Sequence, residues 1–304
     1  MDKKIAVFIV HGIGSQKKGF SEAIEKNLRS NFRNALRHMG EDHRTGIEDA
    51  LLFKEGLWAD IVQEGEDELQ KRLFRDPDTD VDWLCCRRFS IDNFGDAISY
   101  CKGPNEGPYS QYRKIHERIG QLIKEISDQT HPSENTLLTV VSHSLGTVIL
   151  SDYFYDTRNT LKPDRQLVFT NFFTLGSPIS IYANRFYNCE SDSDPFAGFL
   201  PQKVEDEQGV WVNIFDEDDI VGYPIRPINA HCREAVTADI NIDVGSFLLG
   251  WTPFCHRGYW KNKKIGKVIA EKLAIDWLRV HGEAAETTMK RIGDYKKRYK
   301  MPES

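Results

Sequence analysis

The stretch that decides the fold is Leu137-Leu138-Thr139-Val140-Val141-Ser142-His143-Ser144-Leu145-Gly146-Thr147-Val148-Ile149-Leu150. A β-branched apolar run ends in Ser-His-Ser-Leu-Gly, and an apolar segment with helical spacing starts at once. A strand that becomes a helix within so few residues leaves its central residue, Ser144, on a sharp corner. The helix N-terminus turns free backbone N–H groups toward the same place. Backbones nearly touch at such a corner, so the positions two before and two after must be small; Ser142 and Gly146 meet that need. The pattern is small-x-Ser-x-Gly, with Ser142 standing where the strict G-x-S-x-G form has glycine. Ser144 is therefore a candidate nucleophile, its plain alternative being an ordinary turn serine.

Upstream, Ile5-Ala6-Val7-Phe8-Ile9-Val10 is a continuous apolar run of strand length, expected of a strand buried on both faces of a parallel sheet. It ends in His11-Gly12-Ile13-Gly14-Ser15-Gln16, whose glycines permit a tight turn with free N–H groups. From Ser21, residues Ile24, Leu28, Phe32 and Leu36 recur every four positions before a stop at Gly40, which predicts an amphipathic helix. A second strand is expected within 47–59, against the charges of Lys54 and Glu55. Helical spacing resumes over 64–75, and again at Tyr112, Ile115, Ile119, Leu122, Ile123 and Ile126. The aromatic-rich segment between these helices (Trp83, Phe89, Phe94, Tyr100, Tyr109) is either irregular packing or part of a lid.

Downstream, Leu167 to Leu175 and Val210 to Phe215 read as strands, closed by Gly176-Ser177-Pro178 and by Asp216-Glu217-Asp218-Asp219 respectively. Residues 188–209 are acidic and rich in Ser, Pro and Gly, hence a loop or insertion. Ala238, Ile240, Ile242 and Val244 alternate with polar residues, as in a half-exposed strand or hairpin arm. Lys264 to His281 reads as a helix, and the charged tail after Gly282 as a peripheral one. No linker or repeat interrupts the alternation of strands and helices. The expected class is α/β: one domain over 1–282 with a mostly parallel central sheet and helices on both faces. Lid insertions are expected at about 60–111 and 188–209, and a charged tail at 283–304.

The 304 residues are 40% apolar and 11% aromatic, enough for a sizeable core. A net charge of -6 argues against a nucleic-acid partner, which would call for a basic face. No segment approaches the roughly 18 apolar residues of a membrane span, and the N-terminal apolar run is too short for a secretory signal. The six cysteines (Cys85, Cys86, Cys101, Cys189, Cys232, Cys255) lack metal-site spacing and read as free thiols of a reducing compartment. A cytoplasmic location is expected.

A serine nucleophile needs a base, an acid to orient that base, and donors for the developing oxyanion. His256 lies in a loop just before the last helix. His231 and His281 are the other histidines weighed for the role; the first has no strand before it and the second ends a helix. Asp219 directly follows the strand 210–215 and precedes Ile220-Val221. Asp216 and Asp218 remain alternatives in the same acidic loop, which lacks the glycine and terminal glutamate of an EF-hand. The order Ser144, Asp219, His256 differs from that of the two well-known serine protease folds.

On these residues the chain resembles an α/β-hydrolase of the serine esterase and lipase type. The resemblance runs through His11-Gly12-Ile13-Gly14, Asp96-Ala97-Ile98-Ser99-Tyr100, Ser142 to Gly146, Leu175 to Pro178, Asp219 to Val221 and His256 to Trp260. The elbow and the His-Gly turn are its specific parts. Its departures are Ser142 for glycine and Thr147 where a second Gly or Ala is common. It implies an α/β-hydrolase fold and an oxyanion hole made by the backbone N–H groups of Ile13 and Leu145. It implies too that an ester, lipid or acyl esters foremost, is cleaved through an acyl-enzyme, with no metal or organic cofactor. A thioesterase or peptidase on the same fold, and a silent hydrolase-like binding protein, are the alternatives. The apolar run Phe247 to Phe254, with Trp251 within it, is either core packing or the wall of an acyl pocket that meets lipid. The sequence leaves the oligomeric state open.

Overall fold

Strand β1 (Ile5–Val10) is buried at every position, as its unbroken apolar run requires. It pairs in parallel with β2 (Leu51–Gly56) on one side and β3 (Thr136–His143) on the other. The sheet continues through β4 (Leu167–Leu175), β5 (Val210–Phe215) and β6 (Ala238–Asn241), all parallel, in the order β2-β1-β3-β4-β5-β6. The computed structural model describes residues 3–75, 95–101, 110–130, 135–158, 167–189, 193–245, 256 and 258–302.

The edge position of β2 explains its charges. Glu55 accepts hydrogen bonds from the N–H groups of Gly19 and Ser21, and Lys54 pairs with Glu125. An edge strand tolerates such residues where a central one would not. β6 is the opposite edge and is half-exposed. It pairs in parallel with β5, so the hairpin-arm alternative is not what forms.

Parallel strands need crossovers, and helices α1 (Glu22–His38), α2 (Ala59–Arg75), α3 (Gln111–Asp128), α4 (Leu145–Thr157), α5 (Ile179–Ala183) and α6 (Ala230–Ala235) lie along them, while α7 (Lys263–Val280) follows the last strand. Ile24, Leu28, Phe32 and Leu36 of α1 join α7 over Ile5, Val7 and Ile9. The alternate strand residues Ala6, Phe8 and Val10 face α3 and α4. Helices thus cover both faces of the sheet. The tail forms α8 (Ala285–Arg298), whose Ile292 and Tyr295 are buried against the α1–α7 layer.

From β1 the chain steps outward to β2, then returns across β1 to β3 and continues the other way. The loops leaving β1 and β3 therefore diverge, and a crevice opens at their C-terminal ends; this is where ligands bind in open α/β sheets. His11-Gly12 and Ser144 both sit there. Among the described residues no helix is long and apolar enough to cross a membrane.

Candidate active site

Ser144 joins the last residue of β3 to the first of α4 with φ 53° and ψ -132°, a backbone conformation that L residues avoid. Among the described residues only Asn188 and Lys300 share a positive φ without being glycine. The corner is held from several sides. Ser144 N–H donates to Leu175 O at 2.9 Å, and Thr147 Oγ1 donates to Ser144 O at 2.7 Å. With that proton spent, the 2.7 Å contact between Thr147 Oγ1 and Ser177 Oγ has Ser177 as donor. Thr147, a departure in sequence, is thus a strut of the turn.

The size demands read from the sequence are real at one of the two positions. A Cβ on Gly146 would lie 2.3 Å from His11 O, and one on Gly12 would lie 2.4 Å from Ser144 Cβ. Ser142 is tolerated, but its hydroxyl is buried without a hydrogen-bond partner among the described residues.

The turn after β1 is fixed through His11. Trp58 N–H donates to His11 Nε2 at 3.1 Å, so the ring proton sits on Nδ1 and is donated to Gly12 O at 2.7 Å. The ring stacks on Trp58 with centroids 4.9 Å apart. Burial holds His11 neutral by lowering its pKa to about 4. Because the Gly12–Ile13 peptide is trans, anchoring its carbonyl also fixes the direction of Ile13 N–H. Gly14 N–H is held by Asp96 Oδ2 at 2.7 Å. Leu145 N–H belongs to the first turn of α4, where helix N–H groups have no intrahelical partner.

His256 Nδ1 meets Asp219 Oδ2 at 2.8 Å, both side chains being buried. The carboxylate can only accept there, so Nδ1 carries the proton of this contact and Nε2 is the other ring nitrogen. Nε2 is buried and has no hydrogen-bond partner among the described residues. His143, next to Ser144, holds this ring in place. Its Nε2–H donates to His256 O at 2.7 Å, and the two rings lie 4.6 Å apart. Burial lowers the His143 pKa to about 3, so it is a neutral strut. A Cβ on Gly176 would fall 3.0 Å from His256 Cε1, so the backbone that holds Ser144 also brushes His256.

Burial alone would raise Asp219. The hydrogen bond and charge of His256, Val221 N–H and the Tyr259 hydroxyl outweigh it and hold the carboxyl below its usual range. Asp216 is buried as well, but its oxygens are taken by Asp218 N–H at 3.0 Å and Val244 N–H at 2.7 Å, which close the loop. Asp218 is exposed. His231 is exposed on α6, and His281 Nδ1–H donates to Trp277 O at the end of α7. The structure thus brings Asp219 to His256, engages Asp216 and His281 elsewhere, and leaves Asp218 and His231 on the surface.

Trp58, Thr147, Ser177 and Tyr259 carry parts of this geometry that no spacing in the sequence announced. The run Phe247 to Phe254 lies outside the described residues, as do Trp83, Phe89, Phe94 and Tyr109, while Tyr100 is buried. Among the described residues no cluster of His, Cys, Asp or Glu could hold a metal ion. A cleft of about 640 Å³ between α1, α7 and α8 lies elsewhere, and its Arg291 and Arg298 are engaged by Glu283 and Glu271. Compared with known proteins, the chain matches no family model and no curated protein at a significant level.

Proposed function

We propose that this protein is a serine hydrolase of the α/β-hydrolase type that cleaves carboxylic esters, lipid or acyl esters foremost. The observation that carries the reading is the strained φ of Ser144 at the strand–helix corner, in a structure that also sets a buried Asp219–His256 pair beside that corner. Strain of this kind persists only where the surroundings enforce it, and it concentrates at functional sites.

In this mechanism His256 Nε2 takes the Ser144 hydroxyl proton as Oγ bonds to the ester carbonyl carbon. The carbonyl oxygen becomes an oxyanion and accepts from Ile13 N–H and Leu145 N–H, each such donor contributing about 3 kcal/mol. The intermediate collapses, the C–O bond to the alcohol breaks, and the alkoxide leaves with the proton held on Nε2. Water then gives its proton to Nε2 and attacks the acyl-enzyme, and Ser144 recovers its proton as the acid departs. Asp219 stays ionised throughout and holds Nδ1–H.

Hydrolysis of p-nitrophenyl esters by the whole chain and by Ser144→Ala tests the reading. Turnover that falls to background in a folded variant is expected. An unchanged rate in Ser144→Ala, or no turnover by the parent chain, refutes ester hydrolysis at this serine.

A further inference from the structure

We propose that Tyr259 is a positioning residue for the Asp219–His256 pair. Its hydroxyl supplies a second hydrogen bond to Asp219 Oδ2, the oxygen that also receives His256 Nδ1–H, and so sets how strongly that carboxylate holds the imidazole. The proposal rests on the reading of Ser144, His256 and Asp219 given above.

The hydroxyl is committed. It accepts from Asp216 N–H at 3.0 Å, and its single proton goes to Asp219 at 2.8 Å, because the carboxylate can only accept. Burial and the Asp219 charge push the phenol well above its usual pKa, which keeps that proton in place. Tyr259 lies three residues after His256, so a single turn of chain delivers both donors to the same oxygen. Two glycines make room for the ring. A Cβ on Gly176 would lie 2.8 Å from Tyr259 Cε2, and one on Gly222 would lie 3.1 Å from its hydroxyl.

Among the described residues, few charged and titratable groups face the pair. His256 faces Asp219, Tyr259 and the neutral ring of His143; Asp219 faces His256 and Tyr259, with Asp216 beyond the phenol. A carboxylate oxygen shared between two donors is less basic than one serving the imidazole alone. Removing the phenol hydrogen bond returns charge to Oδ2, which favours the imidazolium. It also takes away one of the contacts that fix where Oδ2 stands.

The test is Tyr259→Phe, which keeps the ring. The acid limb of kcat/KM against pH should move up by about 0.5 to 1 pH unit. kcat should fall about tenfold while KM changes by less than about twofold, as expected for lost orientation rather than lost binding. A second readout needs no turnover: NMR titration of the His256 ring in Ser144→Ala, with and without Tyr259→Phe, should show its midpoint moving up likewise. Gly222→Ala crowds the same contact, its Cβ falling 2.8 Å from Asp219 Oδ2, and should move the midpoint in the same direction. An unmoved midpoint in either folded variant overturns the proposal, whatever the loss of rate. A midpoint that moves in a chain without esterase activity upholds the role of Tyr259 and refutes the hydrolase reading instead.

Discussion

Mild acid should destabilise this protein through two buried histidines. Burial holds His11 down to about 4 and His143 down to about 3, from an ordinary value of 6.5. Both rings are therefore neutral in the folded chain at pH 5, while both are protonated in the unfolded chain. The sign follows directly: the unfolded state binds more protons, so stability falls as pH drops below 6.5. The loss levels off near the folded values. At pH 5, about 1.5 below the ordinary histidine value and at about 1.4 kcal/mol per unit, each ring costs about 2 kcal/mol, and the two together about 4 kcal/mol. For 304 residues, at about 2.1 cal/mol/K of unfolding entropy each, that is a fall in Tm of about 6 °C between pH 7 and pH 5. Asp219, Glu55 and Asp206, held below their ordinary values, lose their contributions only at lower pH. Asp152 and Glu205, raised by burial, act in the opposite sense. Urea denaturation at pH 7, 6 and 5 measures the slope, and His143→Gln should remove about half of it whatever it costs at pH 7. A stability that stays level from pH 7 to 5, or an unchanged slope in His143→Gln, refutes the claim that these rings are buried uncharged.

Three further outcomes follow from the site. Asp219→Asn should cut kcat by orders of magnitude, because the amide no longer enforces the Nδ1–H tautomer. Asp216→Asn should be mild in rate, and the opposite ranking would move the acid to Asp216. Ser142→Ala removes a buried hydroxyl without a partner among the described residues, so the variant should be as stable as the parent or more stable by about 1 kcal/mol, read by urea denaturation. Across p-nitrophenyl esters, kcat/KM should rise from two to about eight acyl carbons, up to about fourfold per buried CH₂. Trp251→Ala should flatten that rise, and acetate as the best substrate would reduce the Phe247 to Phe254 run to packing.

The elbow was legible in the sequence because its geometry leaves little choice: Gly146 has His11 O where a Cβ would be. β1 was legible because a central parallel strand can be apolar throughout, and β4 because apolar residues flank its buried Thr170, Asn171 and Thr174. β2 was harder to read, since an edge strand takes Lys54 and Glu55 for tasks outside the sheet. α2 begins at Ala59, ahead of the expected 64, with Trp58 just before it engaged with His11. The choice of acid could not be settled by spacing. Four acidic residues share one loop, two are buried, and only the direction of a single carboxylate oxygen separates Asp219 from Asp216. His143 clasps the His256 backbone, a contact between residues 113 positions apart. Contacts of that separation leave no periodicity to find. Tyr259 is missed for the same reason.

Covalent labelling with a fluorophosphonate probes Ser144 itself, because the reagent reports an activated serine without any assumption about substrate. The whole chain should take up one equivalent, peptide mapping should place it on Ser144, and Asp219→Asn should label far more slowly. No labelling, or a label on Ser142 or Ser177, would contradict the assignment of Ser144 as the nucleophile.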